Sequence, residues 1–235
     1  MTLEFINRKM YQQRHNSEYL NKLATTYPNS IIVPEGGSNQ EALLGVGEII
    51  EELNQQCQFD TLMTPVGSGG TFAGLIRADN GQHQLLGIAV LKESLLKEMK
   101  QKPLTNSPQD LRSRIEELLT QSKTKSKFEQ AISTVQKTKH WQLLSQFHRG
   151  GYAKFTQKDC QRIIEFNQVT QLNFEPVYSG KMLLALLDLI ADGYFPEKHR
   201  IVLLHTGGLQ GLGGLAERNL IQAEQWQLPL EAPPL

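Results

Sequence analysis

Short apolar runs alternate along this chain with longer stretches of helical periodicity. The runs are Leu3 to Ile6, Ile31 to Val33, Thr61 to Pro65, Leu85 to Leu91 and Ile201 to His205. Each is too short for a helix and ends near a glycine, a proline or a polar turn, so each is predicted as a strand. From Gln40 to Gln56, Leu43, Leu44, Val46, Ile49, Ile50 and Leu53 recur at helical spacing with Glu48, Glu51 and Glu52 between them. That pattern predicts an amphipathic helix capped by Ser38 or Asn39. Met182, Leu183, Leu186, Leu187 and Ile190 predict a second apolar helix face. Strands alternating with helices in this way predict an α/β fold: an open, mainly parallel sheet with helices on both faces.

Two stretches depart from that rhythm. From Glu93 to about Lys139 the chain is rich in lysine and glutamine and helical in pattern, which predicts a solvated helical excursion, a surface arm without chemistry. The end, QWQLPLEAPPL, is proline-rich and is expected to lie over the surface, which makes residues 216–235 a surface tail after a body spanning 1–215. Composition narrows the partners. Lysine plus arginine equals aspartate plus glutamate at 24 each, so the chain carries no field that favours nucleic acid or an anionic membrane. Cys57 and Cys160 have no C-x-x-C spacing, so neither a disulfide framework nor a metal site is suggested, and a reducing cytoplasm is the expected location. No run approaches the roughly 18 apolar residues of a membrane span.

The candidate chemistry lies in three glycine-rich turns. TPVGSGGTFAGLI places Gly67, Ser68, Gly69, Gly70 and Thr71 after a strand and before a helix beginning near Phe72. Such a turn lets backbone N–H groups converge where the helix adds positive potential, which suits a phosphate; glycines can also cluster in a strand-to-helix turn for steric reasons alone. No lysine follows Gly70 as a Walker loop requires, and Phe72 stands where a dinucleotide fingerprint needs its third glycine. A phosphate on a small cofactor is the better candidate. VPEGGSNQEALLGVG and HTGGLQGLGG are similar turns after two other predicted strands, and turns at the carboxyl ends of parallel strands face one crevice.

Together, VPEGGSNQEALLG, TPVGSGGTFAGL, EPVYSGKMLLALLDLI and IVLLHTGG resemble the pyridoxal-phosphate family of D-cysteine desulfhydrases and 1-aminocyclopropane-1-carboxylate deaminases, in that family's order. The resemblance runs from about residue 3 to about Leu215. It implies the fold shared with tryptophan synthase β-chains, pyridoxal 5′-phosphate as cofactor, a small amino-acid substrate and a homodimer. It also implies a phosphate cup at Gly67, Ser68, Gly69, Gly70 and Thr71, an active-site tyrosine at Tyr178 and a second at Tyr152. Ser179 falls where the family places the partner of the pyridine nitrogen. Deaminases have glutamate there, which keeps the nitrogen protonated; a serine hydroxyl cannot. Thr206 falls where deaminases have leucine and desulfhydrases threonine. Both positions point to a desulfhydrase.

The family's Schiff-base lysine, in a GNK-type motif, has no counterpart in these 235 residues. Ser38-Asn39-Gln40 looks like the family's loop beneath the cofactor but belongs to the VPEGGSN turn, and neither Lys154 nor Lys181 is a sound substitute for the lysine. The expectation is therefore a fold incomplete at its N-terminus and a chain inactive by itself. A deaminase, or a non-catalytic subunit that binds a phosphate-bearing ligand, are the alternatives.

Overall fold

The computed structural model describes residues 3–14, 16–92, 110–120 and 140–226. Four parallel strands form its sheet: β1 (Thr61–Val66), β2 (Gln84–Ala89), β3 (Trp141–Leu144) and β4 (Ile201–Leu203), in the order β3-β2-β1-β4. The register sets Thr61 against both Gln84 and Ile201, and Leu85 against Trp141. Central β1 is buried along its whole length, which is why it reads as an unbroken apolar run.

Successive residues of the sheet point to opposite faces, and each face has its own core. Leu62, Val66, Leu85 and Ala89 pack with α3 (Gln40–Gln56), α4 (Gly70–Asp79) and α5 (Leu111–Thr120), after the two N-terminal helices α1 (Arg8–Tyr11) and α2 (Ser17–Thr26). Met63, Leu86 and Ile88 pack with α6 (Gln157–Thr170), α7 (Ser179–Ala191) and α8 (Gly211–Glu217). Gly87 lets the Phe72 ring lie against the sheet, since a Cβ there would stand 2.7 Å from it. Helix α7 buries Met182, Leu183, Leu184, Ala185, Leu186 and Leu189, and each large side chain so removed from water contributes about 1.5–3 kcal/mol. The expected open parallel α/β fold is present, and α3 is capped by Asn39, whose side chain accepts from Ala42 N–H at 2.8 Å.

Other expectations are corrected. Leu3 to Ile6 and Ile31 to Val33 belong to no strand; Phe5 is 94% and Ile31 90% exposed. An apolar run becomes a strand only with a ladder partner, and neither run has one among the described residues. Strand β3 was not foreseen. The described part of the helical excursion, α5, is packed rather than solvated: Leu111, Ile115 and Leu118 are buried, and the Gln40 side-chain amide donates to Leu118 O at 2.6 Å. Residues 93–109 and 121–139 of that stretch lie outside the described residues. Trp226 is buried in the core beside α7 rather than lying over the surface, and the tail from 227 onward is also outside them.

Candidate functional site

Strand β1 delivers its chain to Gly67 at the carboxyl edge of the sheet. Gly69 then adopts φ +94°, a conformation that favours glycine, and α4 starts at Gly70. The first N–H to close the helix is that of Ala73, onto Gly69 O at 2.9 Å. The N–H groups from Gly67 to Phe72 find no acceptor among the described residues, and no side chain caps the helix. Six donors at the positive end of a ten-residue helix are thus unengaged, an arrangement that suits an external anion.

The VPEGGSN turn closes over this loop. Gly36, at φ +70°, faces Ser68, and a Cβ on Gly36 would stand 2.6 Å from Ser68 Oγ. Gly70 faces Ser38 in the same way, with 2.5 Å from its would-be Cβ to Ser38 Oγ. The two hydroxyls are 2.8 Å apart. From α5, on the same face of the sheet, Ile115 lies 3.1 Å from the would-be Cβ of Gly69. The cradle is one that side chains on its glycines would fill.

Tyr178 stands at the start of α7 with its ring against Gly67, 3.3 Å from where a Cβ would be. Tyr152 meets it edge-on at 5.9 Å between ring centroids. Burial first, then the Tyr152 phenol and the carboxylates of Glu175 and Glu35, push the Tyr178 phenol up to about 12. It therefore keeps its proton throughout the neutral range.

Two groups to which the sequence analysis gives no role in the site hold this pair. The carboxylate of Glu175, itself buried, accepts the N–H groups of Val177 (2.6 Å), Tyr178 (2.8 Å) and Ser179 (2.6 Å), and so caps α7 beneath Tyr178. An acidic residue just before an apolar helix is the signal that marked it. Lys181 is fully buried, and its ammonium donates to Val90 O at 3.2 Å and to Gly151 O. It ties the end of β2 to the loop that carries Tyr152. Burial lowers its pKa to about 8, against the opposing pull of Glu175 and Asp159. Arg149, in the same loop at φ +53°, pairs with Asp188 and lies 3.6 Å from Asp159. A lone cation inside an otherwise apolar helix face was the readable sign of Lys181; Lys154 is exposed.

The other expected residues are less convergent. Ser179 is fully buried, and its hydroxyl is closed on Glu175, accepting from its N–H at 3.0 Å and donating to its carboxylate at 3.1 Å. Thr206 follows β4 at the same sheet edge and is exposed. Its neighbours anchor the third loop: the His205 ring bonds Asn173 O at 2.9 Å and receives Gly207 N–H at 3.1 Å, and Gly208 lies beside the Glu175 carboxylate. Thus Gly67 to Thr71, Tyr178 and Tyr152 form one site, with Ser179 behind it and Thr206 at its edge.

A turn of unengaged N–H groups at the end of a central parallel strand, faced by paired phenols, is an arrangement in an α/β fold that suits a small phosphate-bearing molecule. Residues 8–207 match the family model described as pyridoxal-phosphate dependent enzyme, and the chain belongs to that family. A Pyrococcus furiosus protein named "Putative 1-aminocyclopropane-1-carboxylate deaminase" is 29% identical over 188 residues, 77% of this chain and 50% of that protein. A D-cysteine desulfhydrase of Klebsiella pneumoniae is 27% identical over 207 residues, 83% of this chain and 57% of the relative. A crystal structure of an ACC deaminase homologue superposes with a TM-score of 0.68 at 22% identity, over 93% of this chain and 62% of that one, which establishes the fold. The chain spans about half the length of the curated relatives it matches. The family's cofactor fits the residues present: unengaged N–H groups and the hydroxyls of Ser68 and Thr71 suit its phosphate.

Proposed function

We propose that this chain supplies the cofactor- and substrate-facing site of a pyridoxal-phosphate enzyme that eliminates sulfide from D-cysteine, converting D-cysteine and water to pyruvate, ammonia and hydrogen sulfide. When bound, the cofactor supplies the electron sink that weakens the substrate's Cα–H bond. The residues of the chain do the rest. N–H groups of Gly67 to Phe72 hold the phosphate. Tyr178 keeps its proton at neutral pH beside Gly67, where its hydroxyl can orient the departing sulfur by donating a hydrogen bond to it, and Tyr152 lies edge-on to its ring.

One observation carries the choice of substrate: a serine, not a carboxylate, follows Tyr178. The nearby Glu175 does not replace it, because both its oxygens are taken up by N–H groups at the start of α7. Without a carboxylate to hold the pyridine nitrogen protonated, the sink is weaker, which suffices when sulfide leaves but not for opening a cyclopropane ring. Because the Ser179 hydrogen is already given to Glu175, the hydroxyl can donate to a neutral ring nitrogen only by leaving that carboxylate, which weakens its hold further.

The test compares kcat/KM for D-cysteine and for 1-aminocyclopropane-1-carboxylate, with pyridoxal phosphate present and the polypeptide bearing the family's Schiff-base lysine supplied. Sulfide release should exceed ring opening by a wide margin, and Ser179→Glu combined with Thr206→Leu should narrow it. An unmodified protein that prefers the cyclopropane substrate overturns the reading.

A further inference from the structure

The two glycine turns meet through a reciprocal contact. Gly36 makes room for Ser68, and Gly70 makes room for Ser38, so each loop gives up a side chain exactly where the other presents a hydroxyl. We infer that Ser38 is a positioning residue of the anion cup, fixing the hydroxyl of Ser68 so that its hydrogen points to the phosphate of the cofactor. The inference rests on the reading that the loop after β1 holds that phosphate.

A hydroxyl carries one hydrogen, and the 2.8 Å contact between Ser38 and Ser68 can run in either direction. If Ser68 donates to Ser38, it turns a lone pair toward the cup, which repels an anion. If Ser38 donates to Ser68, the Ser68 hydrogen is released for a phosphate oxygen. Ser38 also has a competing acceptor in Gly36 O, at 3.4 Å. A bound phosphate selects the second arrangement, in which each hydroxyl polarises the next and both strengthen the bond to the charge. The adjacent negative charge of Glu35 is offset by Arg14, whose Nε lies 2.6 Å from its carboxylate. Ser38 thus serves the anion through Ser68, from a loop that sequence places 30 residues earlier.

The experiment measures binding of pyridoxal 5′-phosphate, inorganic phosphate and phosphate-free pyridoxal to the whole chain and to Ser38→Ala, with the ³¹P shift of bound cofactor followed against pH. Ser38→Ala should weaken both phosphate-bearing probes about tenfold, leave pyridoxal unchanged, and raise the titration midpoint of the bound phosphate toward its free value. Gly36→Ala, which pushes Ser68 aside while keeping Ser38, should give the same selective loss and serves if Ser38→Ala does not fold. Equal weakening of all three probes, or unchanged phosphate affinity in both variants, overturns the inference while leaving the cup itself in place. Wild-type protein that binds neither phosphate-bearing probe overturns the functional reading instead.

Discussion

The loop after β1 and the VPEGGSN turn touch through one pair of hydroxyls, yet they are held in opposite ways. The first springs from a strand buried from end to end, flanked on both sides by other strands and covered on both faces by helices. The second hangs on an arm in which no described residue before Leu43 is buried. Position at the first is set by packing, so its geometry is as stable as the core. Position at the second is set by a few polar contacts and the start of α3, so it can open while the core stays folded. A candidate site made from one loop of each kind has a fixed floor and a movable wall.

Truncating a side chain on each side gives the largest test. Leu183→Ala removes a fully buried side chain beneath the sheet and should cost about 2–5 kcal/mol in chemical denaturation. Ile31→Ala on the arm should change stability by no more than about 0.5 kcal/mol, since Ile31 is 90% exposed. A cost at Ile31 as large as at Leu183 would mean that the arm is covered in solution, which breaks the contrast.

The buried Lys181 should make the fixed side sensitive to alkali. Its folded pKa, about 8, lies below the ordinary lysine value of 10.5, so between these values the unfolded chain holds more protons than the folded one. Stability therefore carries the full burial cost below about pH 8 and rises as pH climbs from 8 to 10.5, by on the order of 3 kcal/mol. Lys181→Met should lose this rise, measured as the difference in unfolding free energy between variant and wild type at pH 7 and pH 10.5. Hydrogen exchange at Gly151 and Tyr152 should quicken in the same variant, because the clamp on their loop is gone. A smaller effect is expected where the arm joins the core: Asn39→Ala removes the cap of α3 and should cost about 1 kcal/mol.

This division also decided what could be read beforehand. Strand β1, its glycine loop and α7 were legible because buried parallel strands and apolar helices leave continuous apolar patterns. Leu3 to Ile6 and Ile31 to Val33 have the composition of strands, but composition does not say whether a partner is at hand. Strand β3 is four residues long with Gln142 inside it, too short to stand out after a polar stretch. The packing of α5 was hidden because a helix of balanced charge conceals three buried side chains at helical spacing. In the candidate site, the glycine loop and Tyr178, which the structure brings together, could be named from motif and turn chemistry. The polar groups behind them, Glu175 and Lys181, act on backbone carbonyls and N–H groups, and sequence shows side chains, not the backbone atoms they will meet.

The smallest effect tests the movable wall most directly. Arg14 bonds Glu35 through Nε at 2.6 Å and lies over the Tyr11 ring at 4.4 Å, while the Tyr11 hydroxyl donates to the same carboxylate. These contacts fasten the arm to the residue just before Gly36. They are partly exposed, so Arg14→Ala should lower global stability by less than about 1 kcal/mol. Local opening is another matter: the arm has no buried side chain to hold it, so losing the guanidinium should raise hydrogen exchange at Gly37 and Asn39 and speed limited proteolysis in residues 30–38, with exchange in β1 unchanged. Raising salt should bring the wild type toward the variant, since an exposed ion pair is screened over about 8 Å at 0.15 M and less at higher concentration. If β1 exchanges faster in step with the turn, the two loops share one stability and the wall is not separately movable.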